Sequence, residues 1–314
     1  MPPLFWSGKL TLPMKLLVES NNLLALFTGS YRDIRGMKDR VKRGYEGEYS
    51  PHVQQYDELG YHLQDRSART QLEGISLQDM QVLDVGCGTG ALASVACENG
   101  AKGVVCGDIS AFMLKQAMGK ETAEHKNFLF CQLDAEALPY KDDSFDAVIS
   151  GMTFGLLPNQ KEAIEEMIRV VKPGGLVCVG AHGPEHYWEA IDACFRCITK
   201  RYILGYRLEW WPRTEGFIRG LLEQAYLEGI RSKRVIWHNE FENGSAAYDF
   251  FAAISALWWY AKLPPDQILK DSRKTRNYFE QKNINIITDD IVVAYGYKPS
   301  AGYPVNQVIG DDPS

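Results

Sequence analysis

Residues 82–90 read Val-Leu-Asp-Val-Gly-Cys-Gly-Thr-Gly. The run from Val82 to Val85 has the apolar, β-branched character of a strand buried on both faces. The glycines after it let the chain turn sharply and let backbone approach a ligand that side chains would hold off. Their spacing is G-x-G-x-G, whereas the fingerprint of a dinucleotide pyrophosphate site is G-x-G-x-x-G. A glycine turn alone serves equally well to pack a strand against a helix, so the neighbouring sequence has to decide.

Downstream, short apolar runs alternate with helical stretches, the pattern of a doubly wound parallel sheet. Strands are expected at Val82–Val85, Gly103–Gly107, Phe128–Leu133, Ala147–Ser150 and Leu176–Ala181. Helices are expected at Ala91–Glu98, Ala111–Gly119 and Lys161–Val171, the last stopped by Lys172-Pro173-Gly174-Gly175. A helix at Thr214–Leu227, an alternating run at Arg234–Phe241 and the stretch Ile291–Tyr297 suggest a closing antiparallel pair. The divisions are a helical lid over 1–80, a core over 81–299 and a tail over 300–314. Helix-compatible caps interrupt the core at 183–213 and 243–287.

The 314-residue chain is 45% hydrophobic and 24% charged, the composition of a packed globular protein. Its formal net charge of -6 argues against affinity built on neutralising nucleic-acid phosphates. Seven cysteines, an odd number with no secretory leader ahead of them, lead us to expect reduced thiols and a cytoplasmic setting. The apolar stretch Leu10–Phe27 is interrupted by Pro13, Lys15, Glu19, Asn21 and Asn22 and does not read as a transmembrane span. Its leucines, next to the basic residues from Arg32 to Arg43, could instead lie on a membrane surface or pack as an ordinary helix.

Three acids stand at expected strand ends. Asp84 closes the first strand, where a carboxylate could meet a ligand ammonium. Asp108, in Cys-Gly-Asp-Ile-Ser, could accept from both hydroxyls of a ribose with Ile109 against a base. The alternative, that Asp108 caps the next helix, is weakened because Ser110 can cap it and leave Asp108 free. Asp134-Ala135 follows the third strand and could meet an adenine edge, or Asp134 could close a local Asx turn.

With Gly-Asp-Ile-Ser, Asp-Ala-Glu-Ala-Leu-Pro-Tyr, Ser-Phe-Asp-Ala-Val-Ile-Ser and Arg-Val-Val-Lys-Pro-Gly-Gly, residues 82–182 resemble the class I S-adenosylmethionine-dependent methyltransferases of the type 11 group. In pattern they are close to ubiquinone/menaquinone C-methyltransferases. The resemblance implies a Rossmann-like seven-stranded sheet and S-adenosylmethionine as cofactor. It implies that Asp84, Gly86, Cys87 and Gly88 hold the amino-acid end, Asp108 and Ile109 the nucleoside, and Asp134 and Ala135 the adenine. Ser150, Gly151 and Met152 would floor the site, and Tyr56, in a Tyr-Asp pair upstream of the core, would reach it from the lid. Thr153-Phe154-Gly155-Leu156 also resembles the quinone-ring stretch, from which Leu157-Pro158 departs.

Such a transfer needs alignment and, for some acceptors, a base. His182, just after the fifth strand, is the first candidate, followed by His186 and Tyr187; a structural histidine is the competing reading. Aromatic residues concentrate in the caps, among them Trp188, Trp210, Tyr248, Phe251 and Trp258, suggesting a small apolar or aromatic acceptor, although many of these rings could form the caps' own core. Cys194 and Cys197 make a C-x-x-C without a second cysteine pair, so packing thiols are expected and no metal. The remaining alternatives are a methyltransferase of RNA or protein, disfavoured by the missing Asn/Asp-Pro-Pro-aromatic motif, and a cofactor-binding sensor or scaffold without turnover.

Overall fold

A computed structural model describes residues 34–47, 51–120, 127–197, 214–255 and 265–300. Strands β1 (Gln81–Val85), β2 (Gly103–Asp108), β3 (Phe128–Gln132), β4 (Phe145–Ser150) and β5 (Val171–His182) run parallel. Strand β7 (Ile286–Tyr297) lies antiparallel between β5 and β6 (Glu228–Glu240). The seven-stranded order is β3-β2-β1-β4-β5-β7-β6, the Rossmann-like sheet of class I methyltransferases.

Period-two side-chain alternation explains why both faces of this sheet are dry. Leu83, Val148, Val177 and Val292 join one apolar cluster, while Val82, Ile149, Cys178 and Val293 join the other. Helices cover these faces: α3 (Ala91–Glu98), α4 (Ala111–Gly119), α5 (Gln160–Val170) and α7 (Glu215–Gln224). Ser110 caps α4, its Oγ accepting the Met113 amide at 3.3 Å, and Thr214 caps α7 in the same way.

Some boundaries differ from the expectations. Helix α5 ends at Val170 because Val171 already pairs with Phe145, and the Lys-Pro-Gly-Gly stretch enters β5 through a register shift on β4. Strand β6 begins six residues earlier than expected, at Glu228, because β7 offers it a partner along its whole length. The second cap runs into the sheet: β7 starts at Ile286.

A third apolar cluster joins lid and caps. The lid supplies α1 (Ile34–Tyr45), a 3-10 turn (Pro51–Gln55) and α2 (Tyr56–Gln71). The caps supply α6 (Trp188–Cys197), α8 (Gly244–Ile254) and α9 (Pro265–Gln281). Tyr248, Phe250 and Phe251 are buried there beside Phe279, so these cap rings largely form a core of their own. Trp210 and Trp258 lie outside the described residues, as do the apolar stretch 10–27 and the tail from 301 onward. Among the described residues, no helix is long and apolar enough to cross a membrane.

Candidate functional site

The sheet order reverses between β1 and β4, since β1 leads outward through β2 on one side and β4 through β5 on the other. Open α/β sheets place ligands in the crevice beyond the strand ends at such a switch point. Two cavities lie there, and Tyr45, Tyr56, Gly86, Gly88, Thr153 and Leu156 line both.

The glycine loop is shaped by its backbone. Gly86, Gly88 and Gly90 all have positive φ, at 74°, 54° and 88°. A Cβ on Gly86 would collide with the Thr153 side chain, whose Oγ1 donates to the Gly86 carbonyl at 2.8 Å. Thr153, on the 3-10 turn Met152–Leu156, thereby ties the end of β4 to the loop after β1.

Asp84 is central. It is fully buried, lines the first cavity, and neither carboxylate oxygen makes a hydrogen bond of good geometry, the Ala93 amide acting on it only weakly from the backbone. Burial pushes its carboxyl up to about 8, and the negative charge of Asp108 adds to the effect. A buried carboxyl of this kind carries a desolvation cost that a cationic ligand would relieve.

Asp108 lines the second cavity together with Ile109, Asp134 and Ala135. Contrary to the expectation that it stays free, its Oδ2 accepts the Gly88 amide at 2.9 Å and its Oδ1 the Ser110 amide at 2.8 Å. It stiffens the glycine loop from the neighbouring strand. Burial raises its pKa, opposed by the amides of Ser110 and Gly88. Asp134 is also engaged: Oδ1 takes the Glu136 amide at 3.0 Å, the Asx turn that competed with the adenine role, and Oδ2 takes Lys38 Nζ at 2.6 Å. Lys38 bonds Glu136 as well, at 2.7 Å, so this cation of the N-terminal basic run points inward rather than toward a lipid surface.

Of the expected floor, Gly151 and Met152 line the first cavity, as does Cys87. Ser150 does not: its hydroxyl donates to the Val85 carbonyl at 2.8 Å and its own carbonyl accepts from Gln71 Nε2 at 2.9 Å. It serves the sheet, because a buried strand-end hydroxyl bonds the nearest carbonyl.

His182, His186 and Tyr187 all line the first cavity. The two imidazoles are 4.5 Å apart. His186 is buried, its Nδ1 lying 3.1 Å from Asp289 Oδ1 and within hydrogen-bond reach of the Asp290 backbone. Cys194 packs in the lid and cap core and Cys197 lies against the Lys274 carbonyl; among the described residues no His, Cys, Asp and Glu side chains group to hold a metal.

The sequence reading missed the fastening between lid and loop. Asp57 Oδ1 accepts from Thr89 Oγ1 and pairs with Lys120 Nζ, both at 2.6 Å, and Lys120 also bonds Thr89 at 3.0 Å. The adjacent Tyr56 stacks edge-on against Tyr45 at 6.0 Å. The Tyr-Asp pair was the available signal; Thr153 and Lys38 stood out only as part of a resembling stretch and a basic run, and Gln71 not at all, since their partners are remote in sequence.

A family model described as "Methyltransferase domain" matches residues 83–179. A malonyl-[acyl-carrier protein] O-methyltransferase of Enterobacter lignolyticus is 31% identical over 153 residues, covering 46% of this chain and 57% of the relative. An uncharacterized protein of Mycobacterium tuberculosis is 27% identical over 174 residues, 55% of this chain and 62% of that one. The chain thus spans less than two thirds of the length of these curated relatives. Among solved structures, the Haemonchus contortus phospholethanolamine N-methyltransferase 2, in complex with phosphomonomethylethanolamine and S-adenosylhomocysteine, aligns with a TM-score of 0.52 at 15% identity. That alignment covers 84% of this chain and 60% of that one, and is a likeness of fold.

Proposed function

We propose that the protein transfers a methyl group from S-adenosylmethionine to a small apolar or aromatic acceptor, a reading supported by the match of residues 83–179 to a methyltransferase-domain model. The observation that carries this is Asp84, a fully buried carboxyl without a hydrogen bond of good geometry, facing a cavity beside a left-handed glycine loop. The residues fit the cofactor. Asp84 would meet its ammonium, the loop amides its carboxylate, and Asp108, Ile109, Asp134 and Ala135 its nucleoside, with Tyr56 closing from the lid. When bound, S-adenosylmethionine supplies an electrophilic sulfonium methyl.

The protein's own part is alignment and exclusion of water. Tyr45 and Tyr56 of the lid and Thr153 and Leu156 of the 3-10 turn wall the junction of the two cavities. Leu63, Tyr187, Ile191 and Phe251 give the first cavity an apolar wall suited to an acceptor ring. His182 takes the proton where the acceptor must lose one, and His186, fixed between Asp289 and the Asp290 backbone, keeps the imidazole pair in place.

Incubating the purified protein with radiolabelled S-adenosylmethionine and a small-molecule extract tests the reading. Labelled product should appear together with S-adenosylhomocysteine. Cofactor binding without transfer across broad extracts would instead make the protein a sensor.

A further inference from the structure

The first cavity holds two polar groups to which the site described above gives no role. Along the seam of α2 and α8, Gln64 Nε2 and Ser255 Oγ are buried and have no hydrogen-bond partner. Both residues line this cavity, and Ser255 is only 8% exposed. The two helices meet closely here. A Cβ on Gly60 would stand 2.6 Å from Ile254 Cγ2 and 3.3 Å from Gln64 Nε2, which sets the Gln64 amide beside the end of α8 where Ser255 follows.

Two unsatisfied groups able to donate are costly in one cavity wall, and an oxygen brought in by a ligand, or water in its absence, repays them. The charge of the cavity narrows that ligand further. Among the described residues its lining contains Asp84 and Asp289 but no lysine or arginine. A carboxylate would therefore find no lysine or arginine in the wall to receive it, while the nearby Arg66 is already engaged by Asp289 and Asn239.

We infer that Gln64 and Ser255 form an oxygen-binding subsite that selects an uncharged acceptor, an apolar ring compound bearing a carbonyl-type oxygen, and discriminates against carboxylates. This rests on the methyltransferase reading only in calling the occupant an acceptor. The amide of Gln64 and the hydroxyl of Ser255 donate to the oxygen, and Leu63, Ile191, Phe251 and Ile254 hold the body of the molecule. The curated relative named for malonyl O-methylation points to a different acceptor chemistry.

Three probes of similar size test this by ligand-observed NMR and calorimetry: acetophenone, benzoate and ethylbenzene, each with the full-length protein, with and without S-adenosylhomocysteine. Acetophenone should bind at least about fivefold more tightly than ethylbenzene and benzoate. Gln64→Leu and Ser255→Ala should each weaken acetophenone about three- to tenfold and leave ethylbenzene unchanged. Gln64→Glu, which replaces the donor with an acceptor, should weaken it further. S-adenosylhomocysteine affinity and melting temperature report whether each variant is folded.

Benzoate binding as tightly as acetophenone, acetophenone failing to bind, or folded variants that hold it like the wild type would overturn the subsite. Failure of S-adenosylhomocysteine to bind would overturn the methyltransferase reading instead, and the probe comparison without cofactor would still decide on Gln64 and Ser255.

Discussion

Substituting Asp84→Asn should uncouple ligand binding at the glycine loop from pH. In the free protein, burial followed by the charge of Asp108 pushes the Asp84 carboxyl up to about 8, so it is protonated at neutral pH. An ammonium placed against it favours the carboxylate and draws that value down. Between the bound and free values, binding therefore expels a proton and affinity must rise with pH. One pH unit corresponds to about 1.4 kcal/mol, so the affinity for S-adenosylhomocysteine should increase about tenfold per unit from about pH 6 and flatten above about pH 8. Calorimetry in buffers of different ionisation enthalpy counts the proton directly. The wild type should release close to one near pH 6.5, and the Asn variant none. At about pH 8.5, where the carboxylate is already formed, the variant should bind some 1.5–3 kcal/mol more weakly, the range for a hydrogen bond to a charged group. A wild-type affinity independent of pH, or a variant that keeps the slope, would refute the reasoning.

The same carboxyl sets a stability profile. Its folded pKa lies above the unfolded one, so the unfolded chain ionises first as pH rises from about 4 toward 8 and the fold loses stability across that window. Asp84→Asn should melt at least about 2 °C above the wild type near pH 8, seen by calorimetric scanning, and not below about pH 4. Thr153→Val keeps the shape but removes the bond to the Gly86 carbonyl; about 1 kcal/mol of stability should be lost, with a several-fold weaker S-adenosylhomocysteine affinity by titration. Lys38→Met leaves Asp134 and Glu136 without their shared cation, so limited proteolysis should cut the lid faster. His182→Asn should lower turnover about 10²-fold or more in the labelled transfer assay while leaving S-adenosylhomocysteine affinity within about twofold.

What was legible in the sequence is what short-range rules determine. The run 82–90 declares a buried strand and a left-handed turn because β-branched residues and glycines act within a few residues. Ser110 could be recognised as a helix cap for the same reason, and it caps α4. The extent of β6 was not legible, since its pairing depends on β7 some fifty residues away. Nor was the engagement of Asp108: a strand-end acid looks free until the fold brings the Gly88 amide to it. Likewise Gln64 and Ser255 are unremarkable polar residues in the chain and become informative only when the fold buries the Gln64 amide nitrogen and the Ser255 hydroxyl without partners.

The fastening of Asp57 to Thr89 and Lys120 has a thermodynamic corollary. One carboxylate belongs to the lid, and the hydroxyl it grips belongs to the loop that would carry the cofactor. Lid docking and loop occupancy are then linked equilibria, and linkage is reciprocal: whatever factor lid closure contributes to holding a ligand, the ligand returns to lid closure. A substitution at Asp57, remote from the reacting atoms, would thus be read as a change in cofactor affinity and as a change in how often the lid stands open, with a single coupling factor common to both.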